Sequence, residues 1–132
     1  MPYCYFQPNT LDPKNRAADC VIRSICHAFS LEWENAFDAL VGYARKAHCM
    51  PNQKKSYEPF LKDRGWVYRS VKNHQLTVQV FSEHRKTPAI CHVRCGYGTH
   101  MVAVSNGNYY DSWDSGSRKL YGYWEPLEQQ GC

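Results

Sequence analysis

Asn106-Gly107 stands between HMVAVS and NYYDSW, two runs rich in apolar and aromatic residues. Asn-Gly is the strongest short hairpin signal, because both central positions of the tight turn need a positive φ. It forces residues 100–105 and 108–113 into an antiparallel pair, and a pair with an apolar face demands a sheet and a core. Counted outward from the turn, Ser105 faces Asn108, Val104 faces Tyr109, Val102 faces Asp111 and His100 faces Trp113. Alternation then puts His100, Val102, Val104, Tyr109, Asp111 and Trp113 on one surface. Asp111 is diagonal to His100, at roughly 7–8 Å between backbones, within reach for the two side chains. Asp114 falls past the strand, in DSGSRK, where its expected task is to accept backbone N–H bonds in a turn.

Upstream of the hairpin the pattern is mostly helical. Residues 1–18 contain Pro2, Pro8 and Pro13 and read as an irregular arm. Cys20 to about Phe29 follows, with Val21, Ile25 and Ala28 on one apolar line and Ile22, Cys26 and Phe29 on a second. Two adjacent lines make a broad apolar face, which predicts a central helix. Cys20, Arg23, Ser24 and His27 share the remaining face. Asp19 is placed to cap this helix, and Ser30 to cap a second one running from Leu31 to about His48. MPNQKK reads as a loop, Pro59–Arg64 as a short helix stopped by Gly65, and Trp66–Val71 as a strand. Thr77 is placed to cap a short helix through VQVFSEHRK, and Pro88 introduces a strand, AICHVR. Helices first and an antiparallel sheet afterwards is an α+β order.

The 132 residues suit one domain, residues 1–132, long enough to bury a real core. The net charge of +4, from 16 basic and 12 acidic residues, is spread along the chain, so a nucleic-acid partner is not expected. No apolar run approaches the roughly 18 residues that span a membrane, and MPYCYFQPNTLDPKNR lacks the features of a signal peptide. The expected location is cytoplasmic. Seven cysteines, an odd number, then argue against a closed disulfide framework. They are core residues, metal ligands or a nucleophile. CHVRC, from Cys91 to Cys95, is a poor metal clip, because a strand points the cysteines and His92 to opposite faces and no second pair is well placed. No metal and no cofactor are expected.

The chemistry gathers around DCVIRSIC. Cys26 sits mid-helix on an apolar line and reads as core, while Cys4, Cys49 and Cys132 carry no assignment. Cys20 has a bland reading too, as one more small buried side chain. Against that, it stands where a helix begins, and a helix N-terminus with a nearby imidazolium lowers a thiol's pKa and stabilises the thiolate. His100, on a stiff strand, is the candidate base and acid. Asp111, on the neighbouring strand, is the candidate orienting carboxylate. His27 is a rival base, but two helical turns separate it from Cys20, about 10 Å of rise.

This order, a cysteine at a helix start, a histidine on a strand and an aspartate on the next, resembles the papain-like superfamily of cysteine peptidases, above all its small bacterial and phage-encoded members. DCVIRSIC is similar to the Asp-Cys opening of the bacteriocin-processing C39-type peptidases, and GTHMVAV followed by YYDSWD is similar to their histidine and aspartate strands. The resemblance spans Asn15–Asp114. It departs from the family at the oxyanion hole. Those peptidases carry a glutamine six residues before the cysteine, where this chain has Lys14. Asn15 is the nearest amide and Gln7 a more distant one.

The resemblance implies a papain-like α+β domain that hydrolyses a peptide or other amide bond. Cys20 is its nucleophile, His100 its base and acid, Asp111 its orienter and Asn15 its oxyanion donor, and a peptide or protein is the substrate. An acyltransferase or transglutaminase would use the same machinery. A silent module that kept the fold to bind protein or nucleic acid is the other alternative. On this reading Asp111→Ala removes turnover and spares stability, and Asp114→Ala does the reverse.

Overall fold

The hairpin forms in the expected register. In the computed structural model, which describes residues 2–12, 14, 17–96 and 98–127, Asn106 and Gly107 take φ of 52° and 81°. They join β4 (Gly98–Ser105) to β5 (Asn108–Asp111), and Ser105 pairs with Asn108, Val104 with Tyr109 and Ala103 with Tyr110. The pairs expected at Val102–Asp111 and His100–Trp113 are not made, because the ladder stops there. The Asp111 carboxylate accepts from the N–H of Ser112 (2.7 Å) and the hydroxyl of Ser115 (2.7 Å), in the segment that follows the ladder.

The remaining strands are β1 (Tyr3–Tyr5), β2 (Trp66–Ser70), β3 (Ala89–Cys95) and β6 (Leu120–Pro126), in the sheet order β1-β5-β4-β3-β6-β2. The sheet is mixed, because β1 runs parallel to β5 and pairs Tyr3 with Tyr109 and Tyr5 with Asp111. This corrects the reading of residues 1–18 as wholly irregular. Pro2 has no N–H to give a ladder, yet its carbonyl accepts from Tyr109, so it sits at the start of an edge strand, where proline is tolerated.

Four helices are described: α1 (Cys20–Phe29), α2 (Trp33–Ala47), α3 (Lys54–Asp63) and α4 (Val78–Glu83). Neighbouring residues of the sheet enter different cores. Ile90, Met101 and Trp124 join Val21, Ile22, Ile25, Leu40, Phe60 and Leu61 under α1–α3. Cys91, Val93, Val102, Val104 and Tyr109 join Val78 of α4 on the other side. Each large apolar side chain enclosed this way contributes about 1.5–3 kcal/mol. The architecture is therefore α+β, with helices on both faces of a six-stranded sheet. No described helix is long and apolar enough to cross a membrane.

The starts of α2 and α3 differ from expectation, and α4 stops at Glu83 instead of running on through Lys86. Ser30 does not start α2; it ends α1 in the left-handed region (φ 53°), and the N–H of Leu31 returns to the Cys26 carbonyl (3.0 Å). That closing turn satisfies carbonyls which would otherwise be orphaned. α2 starts at Trp33 instead. α3 starts at Lys54, inside the expected loop, and carries Pro59 within it. Its loss of a hydrogen bond there is offset by burying Ser56, Phe60 and Leu61, with the Ser56 hydroxyl on the Leu40 carbonyl (3.0 Å). Thr77 does cap α4, accepting from the Val80 N–H (3.3 Å).

Candidate active site

α1 is enclosed on nearly all sides. Of its two apolar lines Val21, Ile22, Ile25 and Cys26 are buried and Ala28 and Phe29 half-buried, but Arg23 and Ser24, on the remaining face, are buried as well. Ser24 is satisfied within the helix, its hydroxyl donating to the Cys20 carbonyl (2.8 Å). Arg23 is 4% exposed, and a charge so enclosed must be paired. It donates to Asp19 through Nη1 and to Asp111 Oδ1 through Nη2 (3.2 Å). Asp19 is accordingly no helix cap. Its carboxylate makes no cap bond and instead takes Arg23, the indole N–H of Trp33 (2.9 Å) and the amide of Asn9 (3.2 Å).

Where β4 and β5 part, the first turn of α1 reaches both strands. Cys20, the first residue of α1, lies close enough to the His100 imidazole and to the Met101 backbone N–H for both to act on its thiol. His100 Nε2 lies 2.6 Å from Asp111 Oδ2, so Nδ1 is the nitrogen left for the thiol. Asp111 is 2% exposed and accepts from four donors: His100, Ser115, the Ser112 N–H and Arg23. Trp113 lies against the His100 ring with centroids 4.9 Å apart, shielding the pair from water. Asp114 makes no bond to His100; it accepts from the Tyr109 hydroxyl and from the Gly116 N–H (3.0 Å), the local turn role expected of it.

The electrostatics follow from these contacts. Burial pushes the Cys20 thiol up. The hydrogen bond and charge of His100, the Met101 N–H and the Arg23 charge outweigh it, and the thiol ends below its ordinary pKa. Burial pushes His100 down, but its bonds and charge interactions with Asp111 and Cys20 raise it to about 9. Burial likewise opposes ionisation of Asp111, and His100, Ser115 and the Ser112 N–H overcome it, so that carboxyl lies below the usual range. A thiolate facing an imidazolium is the state that these three shifts favour together. Two other cysteines make the contrast. Burial drives Cys26 up to about 12 and Cys91 up as well.

Cys20 opens into a cleft of about 930 Å³, with Tyr57, Tyr68, Met101 and Trp124 among its walls and Lys54 and Lys55 at its lip. His100 and Asp111 are buried and do not line this cleft, whereas Cys20 does. A second hollow of about 740 Å³ lies between the arm and α1–α2, lined by Phe6, Cys26, His27 and Trp33, and holds none of the three. His27 stacks on Tyr110 (3.7 Å between centroids) and shares a bond with Ser105 (3.2 Å), away from Cys20. Of the CHVRC residues, Cys91 is buried in the α4-side core and His92 bonds the Tyr68 hydroxyl (3.2 Å). Asn15 lies outside the described residues. Gln7 accepts the Asn9 N–H (3.1 Å) in the arm.

Cys20, His100 and Asp111 are thus brought together; Arg23 and Ser115 join them without having been singled out, and Asp19 joins them in place of the capping role expected of it. The one trace of Arg23 in the sequence is its place four residues after Asp19, where a helix sets the two side chains side by side. Compared with models of known protein families and with curated proteins, the chain matches none.

Proposed function

We propose that the protein is a thiol hydrolase of peptide or other amide bonds, with a papain-like arrangement of helix and sheet. The observation that carries this reading is the juxtaposition of Cys20, His100 and Asp111, of which only Cys20 lines the cleft. The Cys20 thiolate attacks the carbonyl carbon of the substrate. The oxygen that becomes negative is met by the backbone N–H of Cys20, one of the first-turn N–H groups that have no partner within the helix. The His100 imidazolium gives its proton to the leaving amine, and the C–N bond breaks to leave a thioester on Cys20. Neutral His100 then takes a proton from water, whose oxygen attacks the thioester and releases the acid. Asp111 stays ionised throughout and holds the imidazole in place. A reducing compartment such as the cytoplasm suits a site that needs its thiol free.

An amine in place of water would make the same intermediate a transferase product, so the test looks for the intermediate. The protein is incubated with a library of peptide thioesters and p-nitrophenyl esters, quenched in acid and mapped by mass spectrometry. Acylation at Cys20 that is absent in Cys20→Ala and depleted in His100→Ala is the expected result. Labelling that ignores His100, or none at Cys20, overturns the proposal.

A further inference from the structure

The hydrogen bonds of Asp111 leave one feature that a three-residue mechanism does not use: a second buried carboxylate, Asp19, tied to a buried guanidinium, Arg23. Both are almost fully enclosed, at 2% and 4% exposure. Replacing a buried ion pair by apolar residues often costs nothing or stabilises, so stability alone does not explain it. Its placement does suggest a task. Arg23 spans from Asp19, which precedes Cys20, to Asp111, which holds His100. Asp19 is in turn clamped by Trp33 on α2 and Asn9 in the arm, so the guanidinium is held from outside the triad.

We infer that Asp19 and Arg23 are positioning residues, a buried charge pair that fixes the Asp111 carboxylate against His100 and sets the balance of protons between Cys20 and His100. The inference rests on the reading of Cys20, His100 and Asp111 as a reactive site. In the ion-pair state the cluster holds three anions, Asp19, Asp111 and the Cys20 thiolate, against two cations, Arg23 and the His100 imidazolium. Other groups stand around it. Tyr3 on β1 donates its hydroxyl to the Asp111 carbonyl (3.2 Å), Tyr57 on α3 faces Cys20, and Asp114 holds Tyr109. Arg118 lies 5.5 Å from the Trp113 ring that covers His100. The single variants change the balance within the cluster and leave these neighbours alone.

The signs are opposite and that makes the test sharp. Arg23→Gln adds one negative charge to the excess. Imidazolium is then favoured and thiolate disfavoured, so the His100 and Cys20 titrations both move to higher pH. Asp19→Asn removes one negative charge, and both move to lower pH. Asp19→Asn combined with Arg23→Gln keeps the original balance, and both return toward the wild-type positions. Each single shift is on the order of one pH unit or more, as for a charge a few ångströms away.

The Cys20 titration is read from iodoacetamide labelling rate against pH, mapped by mass spectrometry, and the His100 titration from its ring resonances by NMR. Circular dichroism checks that each variant folds. If Arg23→Gln alone does not fold, the comparison of Asp19→Asn with the double variant still isolates Arg23, whose loss must move both titrations upward. Shifts of the same sign in the two single variants, or a double variant that stays displaced, overturn the inference. Should wild-type Cys20 titrate like a free thiol, the hydrolase reading falls. The His100 resonances alone then judge the charge pair, by the same signs.

Discussion

Asp111→Asn tests the centre of the site most directly. The substitution keeps the shape and removes the charge. His100 then loses the partner that does most to raise it to about 9, and it falls back toward the ordinary imidazole range near 6.5. At pH 8 that drop of roughly two and a half units leaves about thirtyfold less imidazolium beside Cys20. Thiolate labelling at pH 6–8 falls with it, and turnover falls by a factor on the order of 10²–10⁴ where the imidazole must act as both acid and base. Stability falls as well, which differs from the expectation drawn from the hairpin alone. Arg23 loses one of its carboxylates, and breaking a buried pair costs about 3–5 kcal/mol. For a chain of this length that is a drop of roughly 10–20 °C in melting temperature. The assays are labelling rate against pH, mapped to Cys20, and a thermal melt. An unchanged labelling profile together with an unchanged melt would refute the reasoning, because no buried carboxylate with four donors can be neutralised without either effect.

Among the described cysteines, Cys20 is expected to react first with iodoacetamide at pH 6, while Cys26 and Cys91 react only on unfolding; fast labelling of either in the folded protein contradicts their burial. Asp114→Ala removes the acceptor of the Tyr109 hydroxyl and the Gly116 N–H and is expected to cost about 1–3 kcal/mol in a denaturant melt with little change in Cys20 labelling. Stability against pH is expected to fall at both ends. The raised His100 pKa contributes stability that is full below about 6.5 and lost as pH rises through about 9. The lowered Asp111 pKa contributes stability that is full above about 3.9 and lost as pH falls through its folded value. His100→Ala should remove the alkaline loss, and a curve that keeps it points to another group.

Much of the site was legible because its parts obey local rules. A two-residue Asn-Gly turn sets the register of its own strands, so Val104 meets Tyr109 whatever surrounds them. The period of Val21, Ile22, Ile25 and Cys26 marks a central helix, and a helix that starts at Cys20 puts a thiol at its positive end. Asp111 and Asp114 are told apart by their distance from the turn. Long-range partners decided the rest. β1 forms because Tyr3–Tyr5 finds an open edge on β5, more than a hundred residues away, and three residues among prolines carry no pattern of their own. Ser30 and Lys54 mark helix ends according to how α1, α2 and α3 pack, and packing overrides the local preference of a serine or a proline. Nothing local marks Arg23, on the face left by the two apolar lines, as buried; Asp111, 88 residues later, and Asp19 meet it in the core. A hydrogen-bond turn or a helical period is settled between neighbours in the chain, but the burial of a charge depends on which opposite charges the fold brings to it, and only the tertiary structure supplies those.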